Sequence, residues 1–182
     1  VAAVTGPWEV TFDPRGGAPA TPVALDAVEY WNQRAEGTIR YYSGTAVYRT
    51  SFSCGDSAAG LFLDLGKVEV MARVKVNGAD CGVAWKPPYR VPIGSAVREG
   101  KNDLRIEVVN LWINRMIGDE RLPEDGNWKD FETLLEWPTW FREGKPRPSG
   151  RYTFTTCRHY KKDSPLMPSG LLGPVTLTRK RQ

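Results

Sequence analysis

The chain has 182 residues, 41% of them hydrophobic and 25% charged, with a formal net charge of +4. That length suits one domain with a proper core, residues 1–182. The charge is too mild and too scattered for a nucleic-acid partner, and no run is long and apolar enough to cross a membrane.

Period-two alternation dominates the chain and predicts an all-β fold. The first strand is read at Trp8–Phe12, followed by the turn signal Gly16-Gly17, and a second at 46–52. Leu61, Leu63 and Leu65 alternate with Phe62 and Asp64 ahead of Gly66. From 68 to 76, Val68, Val70, Ala72, Val74 and Val76 share one face and Glu69, Met71, Arg73 and Lys75 the other, which predicts a continuous half-buried strand. Asn77-Gly78 is a tight-turn signal, and 81–84 returns as the hairpin partner. After the Pro87-Pro88 turn and Gly100-Lys101-Asn102, Leu104, Ile106 and Val108 mark another strand. A long insertion, about 112–149, comes next. Within it Trp128, Phe131, Leu134 and Leu135 follow helical spacing, so 127–136 is read as a helix stopped by Pro138. Weaker strands are read at 152–157 and 174–178, with a turn at Ser169-Gly170 between them. The sum predicts an antiparallel jelly-roll β-sandwich with one partly helical insertion, and an insertion of that length is usually functional.

Catalytic sets are hard to assemble. The single histidine, His159, lies two residues from Cys157, too close on one strand for both to aim at a substrate. Cys54, Cys81 and Cys157 fit no metal spacing and leave room for one disulfide with a thiol over. The acidic run Asp119, Glu120, Glu124 and Asp125 has the ligand type of a structural calcium but not the spacing of an EF-hand; a plain acidic loop is the other reading. The later basic clusters, Arg142, Lys145, Arg147 and Arg151, then Arg158, Lys161 and Lys162, are read as solvated loop charge. The start at Val1, without Met or a signal segment, reads as that of an excised piece.

Aromatic residues carry more information. Trp85, Tyr89 and Trp112 fall at strand ends or turns, and Trp128, Trp137 and Trp140 fall in the insertion. A pyranose stacks its C–H face on such rings while its hydroxyls need fixed polar partners, here Asn110, Asn114, Arg115 and Asp119. The same rings could equally fill the core or cement a domain interface.

Two stretches resemble a known family. Residues 74–89, with their Asn77-Gly78 hairpin and Trp85-Lys86-Pro87-Pro88-Tyr89 turn, and 100–110, a Gly-x-Asn-x-Leu strand, resemble the sugar-binding sandwich of family 2 glycoside hydrolases. Segments 6–13, 41–46, 110–120 and 163–175 are similar to the carboxy-terminal sandwich of the family 106 α-L-rhamnosidases. The resemblance implies a galactose-binding-like fold without catalytic residues, because in those enzymes the catalytic carboxylates sit on a separate barrel domain. It implies that the sandwich packs on that domain and can lend a loop to the pocket. The residues it points to are Asn110, Trp112, Asn114, Arg115, Asp119 and Glu120, with Trp85 and Tyr89 on the neighbouring turn and Asp163 as a further candidate; Trp137 and Trp140 join them from the insertion. It also implies an exported bacterial parent enzyme acting on plant or bacterial polysaccharide. The expectation is a non-catalytic accessory module of a large glycoside hydrolase, needing no cofactor unless calcium. An autonomous carbohydrate-binding module and a purely structural interface domain are the alternatives.

Overall fold

The protein is described by a computed structural model covering residues 2–55, 58–129 and 133–179. Its strands are β1 (Ala2–Ala3), β2 (Trp8–Phe12), β3 (Val23–Leu25), β4 (Thr45–Cys54), β5 (Leu61–Asp64), β6 (Lys67–Glu69), β7 (Met71–Val76), β8 (Ala79–Ala84), β9 (Arg90–Pro92), β10 (Gly100–Val109), β11 (Trp128–Lys129), β12 (Thr133–Leu134), β13 (Gly170–Gly173) and β14 (Thr176–Arg179). Three short helices join them: α1 (Gly37–Arg40), α2 (Ile113–Asp119) and α3 (Thr139–Arg142).

The alternating segments build an antiparallel sandwich. The larger sheet runs β3-β2-β4-β10-β7-β8 and the smaller one β1-β14-β5-β9. Register explains why the alternation works. Val10, Tyr48, Ile106 and Val74 stand side by side across the larger sheet, and all four are fully buried. Leu177, Leu63 and Val91 form the equivalent row of the smaller sheet. The two rows are the facing layers of one core, and burying a Leu or Ile there contributes about 1.5–3 kcal/mol each.

Aromatic groups cap one flank of this core. Trp31 Nε1 donates to Tyr48 Oη at 2.6 Å, and the same oxygen accepts from Leu171 N at 3.4 Å. Burial pushes the Tyr48 hydroxyl far above its usual range, so it stays a neutral donor and acceptor. Phe12, Trp31 and Tyr42 meet edge-on around it, with ring centres 5.0–5.8 Å apart.

Some elements differ from those expected. The stretch 68–76 is two strands, because Val68 on β6 pairs with β13 while β7 belongs to the large sheet. Both halves keep the same inward parity, so alternation alone cannot reveal where the chain changes partners. The 127–136 stretch is not helical at its described residues: β11 and β12 pair with each other, and Leu134 N donates to Thr156 O at 2.9 Å. Phe131 of that expected helix lies outside the described residues. Residues 152–157 form no strand beyond a single bridge, Thr133 to Cys157. All three cysteines are free thiols, at the end of β4, on β8 and in the late loop, so the disulfide that the sequence left room for is not formed.

Where the sheet ends matters for the site. Val109 at the end of β10 lies opposite both Thr45 and Met71, and Ala72 lies opposite Ala84. Residues 42–44, 85 and 110–112 therefore gather at one end of the sandwich, and the insertion starts from there.

The Gly66–Gly173 crossing holds the β6–β13 pair against the core. Gly66 has φ 63°, and a Cβ on it would come 2.2 Å from the Gly173 carbonyl group. Gly66→Ala is therefore expected to cost more than the roughly 1–2 kcal/mol of a left-handed φ alone, read as a lower midpoint in urea denaturation.

Candidate functional site: an aromatic and ion-paired lobe at one end of the sandwich

The insertion is anchored by buried polar side chains. Asn110 Nδ2 donates to Tyr42 O at 2.8 Å and its Oδ1 accepts from Gly44 N at 2.9 Å, clamping the 42–44 loop to the end of β10. Asn114 on α2 repeats the pattern with one residue of the late loop, donating to Met167 O and accepting from Met167 N, both at 2.8 Å. Ser43 Oγ donates to Leu111 O at 2.8 Å and accepts from Arg115 N at 3.2 Å.

Asp119 connects helix and lobe. Its Oδ2 accepts from Tyr152 N at 2.8 Å, from Thr153 N at 2.6 Å and from Thr153 Oγ1 at 2.8 Å. Its other oxygen lies 3.0 Å from Arg115 Nε, one helical turn back. Those two atoms face each other off the hydrogen-bonding axis, so their attraction is coulombic rather than directional. The Arg115 guanidinium also covers the Tyr152 ring at 5.0 Å. Gly118 is small for a reason: a Cβ there would meet Arg115 Nη2 at 2.4 Å and Tyr41 Cβ at 2.6 Å.

Beyond α2 the lobe is held by buried ion pairs. Arg151 Nη1 donates to Glu120 at 2.9 Å, and its other nitrogens reach Pro123 O and Leu122 O at 3.0 and 3.1 Å. Arg158 pairs with Glu120 and Glu124 and stacks over Trp128 at 4.4 Å. Arg147 Nη2 donates to Asp125 at 3.0 Å and its guanidinium covers Trp140 at 5.2 Å. Burial raises the Asp125 carboxyl, but hydrogen bonds from Arg147 and Ser149 outweigh it and hold it below the usual carboxylate range. The reading of these arginines as solvated loop charge is thus corrected: Arg147, Arg151 and Arg158 are largely buried, while Arg142, Lys145, Lys161 and Lys162 are exposed. The acidic run is neither a free loop nor a cluster of three or more metal-type ligands among the described residues.

Aromatic rings form the outside of the lobe. Trp137, Phe141 and Phe154 stack with centres 5.0–5.7 Å apart and planes within 26°. Trp140 meets Phe141 and Phe154 edge-on. Next to Phe154 a shallow groove is lined by Trp112, Met116 and Tyr152. Trp112 is 61% exposed, Leu111 50% and Tyr152 48%.

The candidate residues thus separate by burial. Asn110, Asn114, Arg115 and Asp119 are buried scaffolding, and Glu120 sits half-buried between two arginines. Trp112 is open to solvent, as is Trp85 at 64% on the neighbouring strand end; Tyr89 is half-buried against the core. Trp137 and Trp140 lie on the outer lobe, and Asp163 is exposed in a separate groove beside Arg121 and Lys162. Sequence reasoning passed over Phe141 and Phe154 and the burial of the arginines. An acidic run followed by basic clusters is the available signal.

Comparison with known proteins places this arrangement. No family model matches the chain. A protein from Formosa agariphila bearing a provisional beta-glucuronidase name is 39% identical over 178 residues, which is 96% of this chain and 15% of that protein. The structure of a rhamnosidase from Novosphingobium sp. PP1Y superposes with TM-score 0.78 at 38% identity, covering 97% of this chain and 15% of that one. The chain matches one sandwich module of large glycoside hydrolases. A beta-glucuronidase from Ruminococcus gnavus, at 21% identity and TM-score 0.51 over 59% of the module, shares the fold. The module spans about 15% of the length of the first two proteins, and the match runs through sandwich and lobe alike.

The ion pairs set how the lobe responds to substitution and to acid. Removing one charge of a buried pair strands the other, so Asp125→Asn is expected to destabilise the module by about 3–5 kcal/mol, measured by denaturant titration. Because the folded Asp125 value is depressed, its contribution is complete above the unfolded carboxyl value of about 3.9 and is lost as pH falls through the lower folded value. Tryptophan fluorescence should therefore report loosening of the lobe below about pH 4, and Asp125→Asn should flatten that transition.

Proposed function

We propose that the chain is a non-catalytic accessory module that docks, through its lobe end, against the catalytic part of an exported glycoside hydrolase. One observation carries the reading. A module matched almost end to end within about 15% of two larger hydrolases gathers several large, exposed or half-exposed apolar side chains at one end. Leu111, Trp112, Met116 and Tyr152 form its centre, with Met71 and Trp85 on the adjoining strand ends. Isolated apolar residues need no explanation on a protein surface, but several gathered at one end of a module favour an interaction site there.

The occupant committed to is the neighbouring catalytic domain of the same polypeptide. The relatives' remaining length supplies such a partner.

Hydrogen exchange tests this directly. Amides of 111–116 and 152–155 are expected to exchange several-fold more slowly in the full-length parent than in the separate module; equal exchange in the two would sink the docking reading. Trp112→Ala should leave the separate module as stable as before, since the ring is mostly exposed. In the parent it should weaken docking by about 2 kcal/mol, read as earlier detachment of the module on heating.

A further inference from the structure

A cleft on the outer lobe, apart from the docking surface, has the chemistry of a sugar subsite. Trp137 and Trp140 line it together with Asn127, Glu136, Glu124 and Thr139. Trp137 is backed by Phe141 at 5.0 Å, with planes 21° apart, yet remains 49% exposed. It is a supported ring with surface to spare, which suits stacking against the C–H face of a pyranose. Trp140 is fixed as a wall by Nε1 donating to Asp125 O at 3.3 Å and by the Arg147 guanidinium over its ring.

Polar groups stand beside the rings. Asn127 Nδ2 donates to Glu136 Oε1 at 3.4 Å. That bond occupies one amide hydrogen and one carboxylate oxygen, leaving the amide oxygen, the second amide hydrogen and the other carboxylate oxygen for a ligand. A carboxylate next to an amide is a matched acceptor and donor pair for adjacent sugar hydroxyls, and the Thr139 hydroxyl adds a third group.

Charge sets the selectivity. Among the described residues, no lysine or arginine lines this cleft. Glu124 is paired with Arg158 and Asp125 with Arg147, whereas Glu136 has no cationic partner among the described residues. An incoming carboxylate or sulfate would face the Glu136 charge, while the nearest guanidinium, Arg147 behind Trp140, is already engaged by Asp125.

We infer that this cleft binds a neutral pyranose of a glycan chain and rejects uronate and sulfated sugars. The inference does not depend on the docking reading, since its residues and those of the docking groove are different sets with Phe154 between them.

The test is calorimetric titration of the 182-residue chain. The probes are neutral oligosaccharides of galactose, glucose, xylose and rhamnose, with polygalacturonate oligomers as the anionic arm. Saturable binding of at least one neutral probe is expected, with polygalacturonate weaker by roughly tenfold or more. Trp137→Ala should abolish it. Glu136→Gln leaves the aromatic packing untouched; it should weaken the neutral probe several-fold and narrow the gap to polygalacturonate. Trp112→Ala should bind like the unmodified chain, which separates failure of this site from failure of the docking surface. No saturable neutral binding, equal affinity for polygalacturonate, or full affinity in Glu136→Gln would each overturn the assignment.

Discussion

A lobe whose only described strand ladder is the short β11–β12 pair must satisfy much of its backbone and its charges with side chains, and in this protein Asp119 begins that process. One of its oxygens takes two backbone N–H groups and a hydroxyl from residues 152–153, and the other balances Arg115. Without that carboxylate the part-buried Tyr152 and Thr153 amides would lose their partner. The position of Tyr152, and with it the exposed apolar groove, follows from this attachment. So does the placing of Arg147 and Arg151, whose neighbouring segment is pinned at the same point.

The two parts of the molecule are stabilised by different physics. The sandwich rests on rows of Val, Leu, Ile and Tyr that lose water on both sheets, a contribution indifferent to pH. The lobe rests on guanidinium groups inserted between carboxylates and aromatic rings. Arginine suits this because its planar cation can hydrogen-bond at its edge while stacking on its face, as Arg147 does with Asp125 and Trp140. Such packing can be firm without being apolar, which lets a lobe present rings outward and keep its charge inward.

That arrangement also separates the surfaces. The groove beside Trp112 is apolar and continuous with the sandwich end, suited to a protein partner. The cleft beside Trp137 mixes rings with an amide, a hydroxyl and a carboxylate without a cationic partner among the described residues, suited to a hydroxylated ligand. Phe154 is a wall of the groove and stacks against Trp137 of the cleft. An accessory module of this design can hold its enzyme with one face and offer another to substrate chains.

By itself, the sequence determined the sandwich. Alternation at 61–65, 71–76 and 104–108 registers which side chains lose water, and Asn77-Gly78, with φ 52° and 83°, is a turn dictated by local chemistry. The motifs in 6–13, 74–110 and 163–175 likewise point to the glycoside-hydrolase module that the comparisons match. Only tertiary structure decided the lobe. The apolar spacing of Trp128, Leu134 and Leu135 fits a helix in isolation, but their backbone partners lie across the lobe at Asn127 and Thr156, so β11 and β12 pair instead. Arg147, Arg151 and Arg158 look like surface charge in a linear chain, because the carboxylates that make their burial tolerable lie 22 to 38 positions away. Periodicity reports neighbours along one strand or helix; ion pairs and stacked rings that meet across a loop leave no period to read.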